Sequence, residues 1–276
     1  MRIKVAILDL NDNTPNLGLG SIVEHVKAFP GNLEYKIFDV RHKHEVPGLD
    51  FDIYISSGGP GDPRVGDGIW DPAYYAWLDS VHKFNLGKQG EKKYVFFICH
   101  SFQLACIYFK FGELRLRNKK SFGTYPCYLT GNGLYEDNFK GLPNPMYIAD
   151  FRSFEVIKDD YEVKSNTFPK VLAIEQINPI EPRQRAIMAV RFSPEMIGTQ
   201  FHPEAYPEGM YDYFNQPDRR DSVIAEHGEE RMNQMIRDLG HPNKITLTNS
   251  TILPNFLRQS TKCVKECRLK EAAGAV

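Results

Sequence analysis

The sequence places a thiol, an imidazole and a carboxylate where extended segments end. Cys99 follows the apolar run Tyr94-Val-Phe-Phe-Ile98 and opens a segment with helical spacing, which predicts a strand-to-helix corner at the thiol. Unpaired N–H groups at a helix N-terminus favour the thiolate, the form that attacks a carbonyl carbon. His202 and Glu204 follow a second apolar run, and residues two apart leave an extended backbone on the same side. The three can therefore act as nucleophile, base and orienting carboxylate, although a small buried hydrophobe is the alternative for the cysteine alone.

A glycine-rich loop can supply the stabilisation of negative charge that acyl transfer requires. Residues 51–56 have a strand pattern and lead into Ser57-Gly58-Gly59-Pro60-Gly61. Because this loop has few side chains, its backbone N–H groups can approach a ligand and stabilise an oxyanion. A turn without function is the alternative for this loop taken by itself.

Three segments together resemble a known family. SSGGPGDP at 56–63, ICHSFQ at 98–103 and TQFHPE at 199–204 are similar, in this order and at this separation, to the motifs of class I (triad-type) glutamine amidotransferases. The glutaminase domain of GMP synthase is one such protein. The resemblance spans about the first three quarters of the chain. It implies Cys99 as nucleophile, His202 as general base and then acid, and Glu204 as the residue that orients it.

The same resemblance implies how the substrate is held. Its oxyanion hole would be formed by backbone N–H groups, and Gln103 would help to hold the substrate glutamine. The residues implied for the oxyanion hole are Gly58, Gly59, Gly61 and His100.

The sequence departs from the family pattern at two places. Phe97 and Ser101 replace the glycines that flank the cysteine motif, a combination similar to that of the homoserine O-acyltransferases. The family's Ser-His-Gly-Asp segment, which lines the glutamine site, has its counterpart at Arg152-Ser153. We expect these two residues to project from a loop toward the site, where the arginine could bind a carboxylate. A surface arginine paired with Glu155 is the alternative that we favour.

The order of elements predicts an α/β fold. Strand patterns at 3–10 and 33–40 flank a helical pattern at 21–29, the order typical of a parallel sheet, whose ligands bind beyond the carboxyl ends of the strands. Further strand patterns at 124–129, 146–149, 171–174 and 186–192 predict a small antiparallel sheet beside the parallel one. We thus expect a three-layer, doubly wound, mostly parallel sheet in an amidotransferase-like domain over 1–215. Residues 216–276 should form a helical extension, with helices at 222–239 and 248–257 and a tail that is disordered from about 260.

Composition and net charge indicate which classes of partner and which compartment to expect. With 34 Lys and Arg against 35 Asp and Glu, the net charge is −1, which indicates neither a nucleic-acid nor a membrane partner. Five cysteines without framework spacing fit a reducing, cytoplasmic compartment. The pairs His42/His44 and Cys263/Cys267 lack further ligands at matching spacing, so we predict neither a metal nor a cofactor.

The leading hypothesis is hydrolysis of the glutamine side-chain amide through a γ-glutamyl thioester on Cys99. L-glutamine would be the substrate, and because the chain has no G-x-x-x-x-G-K-[ST] segment, a separate ATP-dependent synthetase would use the ammonia. Two alternatives stay open. One is acyl transfer from a thioester to a small hydroxyl by the same Cys-His-Glu set, and the other is a binding protein that has lost catalysis. A γ-glutamyl peptidase would use the same residues.

Overall fold

Strands and helices alternate along the first part of the chain. The computed structural model describes residues 2–31, 33–87, 90–159, 167–177 and 185–274. The elements in chain order are β1 Ile3–Asp9, α1 Leu17–Ala28, β2 Leu33–Asp39, β3 Ile53–Ser56, α2 Trp70–Gly87, β4 Tyr94–Ile98 and α3 His100–Tyr108. The predicted parallel strands are therefore confirmed to within a few residues.

The second part contains five strands, of which β5 and β6 are long, and five α-helices within the described residues. The strands are β5 Glu113–Leu129, β6 Met146–Ile157, β7 Lys170–Glu175, β8 Ile187–Ser193 and β9 Met196–Thr199. The helices are α4 Pro207–Phe214, α5 Pro217–His227, α6 Glu229–Leu239, α7 Ile245–Asn249 and α8 Ile252–Gly274. None of the helices among the described residues combines the length and the apolarity that crossing a membrane requires.

One nine-stranded sheet runs through the described residues in the order β2-β1-β3-β4-β9-β8-β7-β5-β6. The strands from β2 to β9 in this order pair in parallel, and those from β9 to β6 pair antiparallel. The antiparallel strands therefore continue the parallel sheet, rather than lying beside it as a separate small sheet. Because parallel strands share one carboxyl edge, the segments that follow β1, β3, β4 and β9 meet there.

Helices cover both faces of the parallel strands, which completes the predicted three layers. Alternate residues of β1 point to opposite faces: Val5 and Ile7 belong to the cluster that contains α1 and α8, whereas Ala6 and Leu8 belong to the cluster that contains α2 and α3. Burial on both faces explains why these strands read as nearly unbroken apolar runs.

The C-terminal helices differ from the sequence-based expectations. The expected helix at 222–239 is two helices, α5 and α6, which Gly228 separates with a φ of 88° that favours glycine. The expected short helix at 248–257 is likewise divided between α7 and α8. The expectation of disorder from about residue 260 is wrong, because residues 252–274 form one helix that places Phe256 and Val264 in the core. Its apolar residues recur at helical spacing and form a buried face. The many charged residues of the opposite face made the segment resemble a disordered tail.

Candidate functional site

Cys99 lies at the corner between β4 and α3, as the sequence predicts. Its φ of 49° and ψ of −98° are unusual for a residue with a side chain, and strain of this kind occurs at functional sites. The backbone holds this conformation from both sides, since the Cys99 N–H donates to the carbonyl of Thr199 and the Cys99 carbonyl accepts from the Gln103 N–H. The thiol is therefore positioned beside the first turn of α3.

Phe97 and Ser101, which replace the family's glycines, are both accommodated by packing next to the corner between β4 and α3. Phe97 is fully buried against the ring of Phe192, and it faces Gly198 of β9, where an added Cβ would lie only 3.0 Å from the Phe97 Cβ. The Ser101 hydroxyl accepts from the Ile98 N–H at 2.7 Å. The same hydroxyl lies 2.8 Å from the Ser56 carbonyl and so connects the ends of β3 and β4. A glycine on β9 thus provides the space that the family's glycine on β4 would have left.

His202 and Glu204 lie in the turn that follows β9. His202 Nδ1 is 2.7 Å from Glu204 Oε1, and the imidazole is close enough to the Cys99 thiol for the two to interact. Burial lowers the pKa of His202, but the nearby Glu204 and Cys99 outweigh it and raise the pKa well above its usual value. The structure therefore brings the three residues together, with the imidazole hydrogen-bonded to Glu204, beside the thiol and favoured in its protonated form.

The glycine-rich loop lies directly against these residues. A Cβ at Gly58 would be 2.9 Å from His202 Cε1 and 3.5 Å from Cys99 Cβ. A Cβ at Gly59 would be 2.3 Å from the carbonyl oxygen of Leu10, so that position also requires glycine. Gly61 has a φ of 95°, which favours glycine as well.

His100 is the first residue of α3, so its backbone N–H belongs to the helix N-terminal groups that lack an intrahelical partner. Its side chain is buried beside the ring of Trp70. Burial, and then the Arg41 guanidinium, lowers the pKa of His100 to about 4, although Asp62 opposes this. The imidazole is therefore neutral and is not a second base.

Gln103 is buried behind the thiol rather than free in a cleft. Its Nε2 donates to Gln200 Oε1 at 3.0 Å, and Gln200 Nε2 in turn lies 3.7 Å from Cys99 Sγ. Gln200 belongs to the TQFHPE segment, but the sequence argument did not select it. Its position immediately after β9 was the signal that could have identified it.

Arg152 is placed differently from both sequence-based alternatives. It lies within β6 rather than in a loop, and its side chain is 1% exposed. The guanidinium pairs with Asp150 at 2.9 Å and Glu175 at 3.1 Å, whereas Glu155 is 4.0 Å away. The expectation of a surface arginine is therefore wrong, and Glu155 is the most distant of its three carboxylate partners. Asp150 and Glu175 occupy the donors that a substrate carboxylate would need. Ser153, its neighbour in β6, is half-buried.

Asn249, at the end of α7, contacts the turn that carries Glu204, and the sequence did not predict this contact. Its Nδ2 donates to the Glu204 carbonyl at 3.0 Å and lies 3.1 Å from His25 Nε2 in α1. Burial lowers the pKa of His25, while Glu204 opposes the shift. A neutral imidazole can accept the second amide hydrogen, so Asn249 links the turn that carries Glu204 to both α1 and α7. No local pattern distinguishes this asparagine in the sequence.

The comparison with family models identifies the class. The model described as glutamine amidotransferase class-I matches residues 21–215, and the chain therefore belongs to this family. The resemblance predicted from the three motifs and the predicted fold class are confirmed. None of the curated proteins matches the sequence.

Solved structures share the fold at low sequence identity. A glutamine amidotransferase of Thermotoga maritima has a TM-score of 0.67 and 12% identity, over 94% of this chain and 97% of that chain. A putative GMP synthase component of Thermoplasma acidophilum has a TM-score of 0.51 and 15% identity, over 94% and 98%. The glutaminase domain of Trypanosoma brucei CTPS, with bound acivicin, has a TM-score of 0.53 and 16% identity, over 73% and 86%.

Proposed function

We propose that the protein is a glutaminase in which Cys99 attacks the side-chain amide of L-glutamine. The juxtaposition of the Cys99 thiol with the hydrogen-bonded pair of His202 and Glu204 carries this proposal, together with membership of the class-I glutamine amidotransferase family. The thiolate adds to the amide carbonyl, and the carbon–nitrogen bond breaks as the protonated imidazole donates its proton to the leaving ammonia. A γ-glutamyl thioester remains on Cys99. His202, now neutral, takes a proton from water, and the resulting attack releases glutamate and the thiolate.

The surroundings of the thiol fit this chemistry. The negative charge of the tetrahedral intermediate would be stabilised by backbone N–H groups of the Gly58–Gly61 loop and of His100. Gly58 supports this arrangement because it lies against both Cys99 and His202. Glu204 would hold the imidazole in the tautomer whose Nε2 faces the thiol.

We also propose that a separate ATP-dependent synthetase uses the ammonia. The sequence contains no phosphate-binding loop of the G-x-x-x-x-G-K-[ST] type. Two of the structural neighbours are named as a glutaminase domain and as a component of GMP synthase. Five free cysteines support a reducing compartment, for which we propose the cytoplasm.

The structure gives no observation in favour of the acyltransferase alternative. That alternative rests on Phe97 and Ser101, but both side chains are fully buried in packing below the corner. They therefore cannot line a site that selects a thioester over an amide.

Release of glutamate and ammonia from glutamine, measured with purified protein, tests the proposal. We expect wild type to turn over and Cys99→Ala and His202→Asn to lose turnover by at least about a thousandfold, as for removal of a nucleophile or base. Asn255→Ala, on an α8 residue that bonds the 137–140 loop, is the control expected to retain activity. Full activity in Cys99→Ala, or consumption of acyl thioesters with indifference to glutamine, would refute it.

A further inference from the structure

A cavity of about 500 Å³ lies between a bulge in β5 and helices α5 and α6. The pairing of β5 with β6 changes register between Leu116 and Ser121, so residues 117–120 leave the regular ladder. Three of these four residues are cationic and line the cavity, namely Arg117, Lys119 and Lys120. The bulge thus places a basic segment opposite the two helices.

The charges around the cavity are mostly positive. Four cations line the cavity, Arg231 being the fourth, against the two lining carboxylates of Glu175 and Glu230. Arg117 pairs with Glu155 and Glu175, and Lys120 lies 3.6 Å from Glu226, so Lys119 and Arg231 are the lining cations without a carboxylate partner among the described residues. Arg231 is held in place, since it donates to the carbonyls of Phe122 and Thr124 at 2.8 and 2.7 Å. Within the described ranges, Lys119 makes no ion pair.

His227 supplies a buried polar group without a hydrogen bond. Its side chain is 6% exposed and stacks on the ring of Phe122, with centroids 4.4 Å apart. Nε2 lies 3.4 Å from Glu226 Oε1 but has no hydrogen-bond partner among the described residues. A buried polar atom of this kind calls for a hydrogen-bond partner, which a ligand or an ordered water can supply.

The field around this imidazole favours an anion. Burial lowers the pKa of His227 and Glu226 raises it, while three cations lower it further. The charged residues of the packed elements are Arg117, Lys119, Lys120, Glu175, Glu226, Glu230 and Arg231. An anion among these cations would offset their repulsion and let the imidazole take up a proton.

We propose that this cavity binds the phosphate group of a small molecule, with Lys119, Lys120 and Arg231 providing positive charge and His227 Nε2 donating a hydrogen bond. A phosphate carries about two negative charges and several acceptor oxygens, which suits several converging cations better than one carboxylate does. The proposal does not depend on whether Cys99 hydrolyses glutamine.

Two aromatic rings connect the proposed phosphate site with His202, the candidate base. The Phe122 ring contacts Phe151 at 5.0 Å between centroids, and Phe151 contacts His202 at 6.2 Å. A ligand at His227 would therefore lie two aromatic rings from the His202 imidazole. A phosphorylated acceptor and a phosphorylated effector share this chemistry.

Titration calorimetry with inorganic phosphate, pyrophosphate and adenosine monophosphate tests the proposal, with adenosine as the uncharged comparison. We expect binding of at least one phosphate compound and none of adenosine. Lys119→Gln and His227→Phe, the latter retaining a ring to stack on Phe122, should each weaken binding about tenfold. Lys83→Gln on α2 is the matched control and should leave binding unchanged. Binding should also take up protons in wild type and not in His227→Phe.

The result that overturns the proposal is the absence of phosphate binding at millimolar concentration, or binding that both variants leave unchanged. The titrations are repeated with Cys99→Ala, so a failed glutaminase and a failed phosphate site are distinguishable. If binding is confirmed, a bound compound that changes the rate of glutamate release is an effector.

Discussion

The first turn of α1 lies against Glu204 and offers a way to disturb the candidate catalytic residues without disturbing the fold. A Cβ at Gly18 would lie 2.9 Å from Glu204 Oε1 and 2.8 Å from Asn16 Oδ1. Glu204 Oε1 ends a flexible side chain and can move while the backbone stays in place. Asn16 Oδ1 caps α1 by accepting from the N–H groups of Gly18 and Leu19, so its displacement costs about 1 kcal/mol of helix stability. Gly20, in the next part of the same helix, has nothing within 4 Å of the same added atom. Gly18→Ala and Gly20→Ala therefore form a matched pair.

The size of the effect follows from these distances. To reach ordinary contact at 3.4 Å, Glu204 Oε1 must retreat by roughly 0.5 Å, which lengthens its 2.7 Å hydrogen bond to His202 to about 3.2 Å. A bond of this length is at the upper end of the normal range, so it is weakened rather than broken. Because complete loss of a hydrogen bond to a charged group costs about 1.5–3 kcal/mol, the weakening should decrease kcat/KM by up to about tenfold. The alanine itself favours the helix by about 0.5–1 kcal/mol in either variant.

The assay combines thermal unfolding with glutaminase kinetics. We expect Gly20→Ala to be slightly more stable than wild type with unchanged kcat/KM. Gly18→Ala should remain folded, with a Tm within a few degrees of wild type, but should lose kcat/KM by the factor given above. Wild-type kcat/KM in a folded Gly18→Ala would refute the inference that the position of Glu204 governs reactivity.

Three further predictions concern the supports of the site. Asn249→Ala removes the hydrogen bond to the Glu204 carbonyl, and we expect kcat/KM to fall about tenfold in steady-state assays at a nearly unchanged Tm. Gly198→Ala should destabilise the protein by about 1–3 kcal/mol in denaturant melts, because the added Cβ would lie 3.0 Å from the Phe97 Cβ and from Phe102 Cδ2. The additional loss should be smaller in a Phe97→Gly background, where the Phe97 Cβ is absent. Glu204→Gln should weaken the pH dependence of stability above about pH 6.5. The raised pKa of His202 means that its stabilising contribution is complete below that pH and is lost as pH rises through the folded-state value, and the substitution removes the carboxylate that raises it.

Each of these three predictions would be contradicted by a specific result. Unchanged kinetics in Asn249→Ala would show that α7 only covers the turn. Strictly additive effects of Gly198→Ala and Phe97→Gly would show that the two residues do not share space. A pH dependence of stability in Glu204→Gln that equals that of wild type would show that the Glu204 carboxylate does not raise the pKa of His202.

The parallel strands and the Cys99 corner could be predicted because they depend on local pattern. A strand buried on both faces must be an apolar run, and a thiol at its end must lie at the carboxyl edge of the sheet. The separate residues Cys99, His202 and Gly58 therefore pointed to one place. Their distances could not be predicted, because they depend on how β9 returns between β4 and β8.

Arg152 and the C-terminal helices show where local pattern fails. A strand that contains Asp150 and Arg152 breaks apolar alternation, and its burial is stabilised by Glu175 from a different strand. Such pairing over long sequence separation leaves no local signal. Likewise, the buried face of α8 is stabilised by packing of Phe256 on Phe96, which composition does not indicate.

The most direct test of the central claim is intact-mass labelling with the chloromethyl-ketone analogue of glutamine, an electrophile shaped like the proposed substrate. It asks for recognition and nucleophilicity at Cys99 without requiring a partner to activate turnover. We predict a single adduct that is absent in Cys99→Ala and blocked by excess glutamine. If the analogue leaves no adduct while a simple alkylator still modifies Cys99, the thiol is reactive but the site does not recognise glutamine, and the proposed function is contradicted.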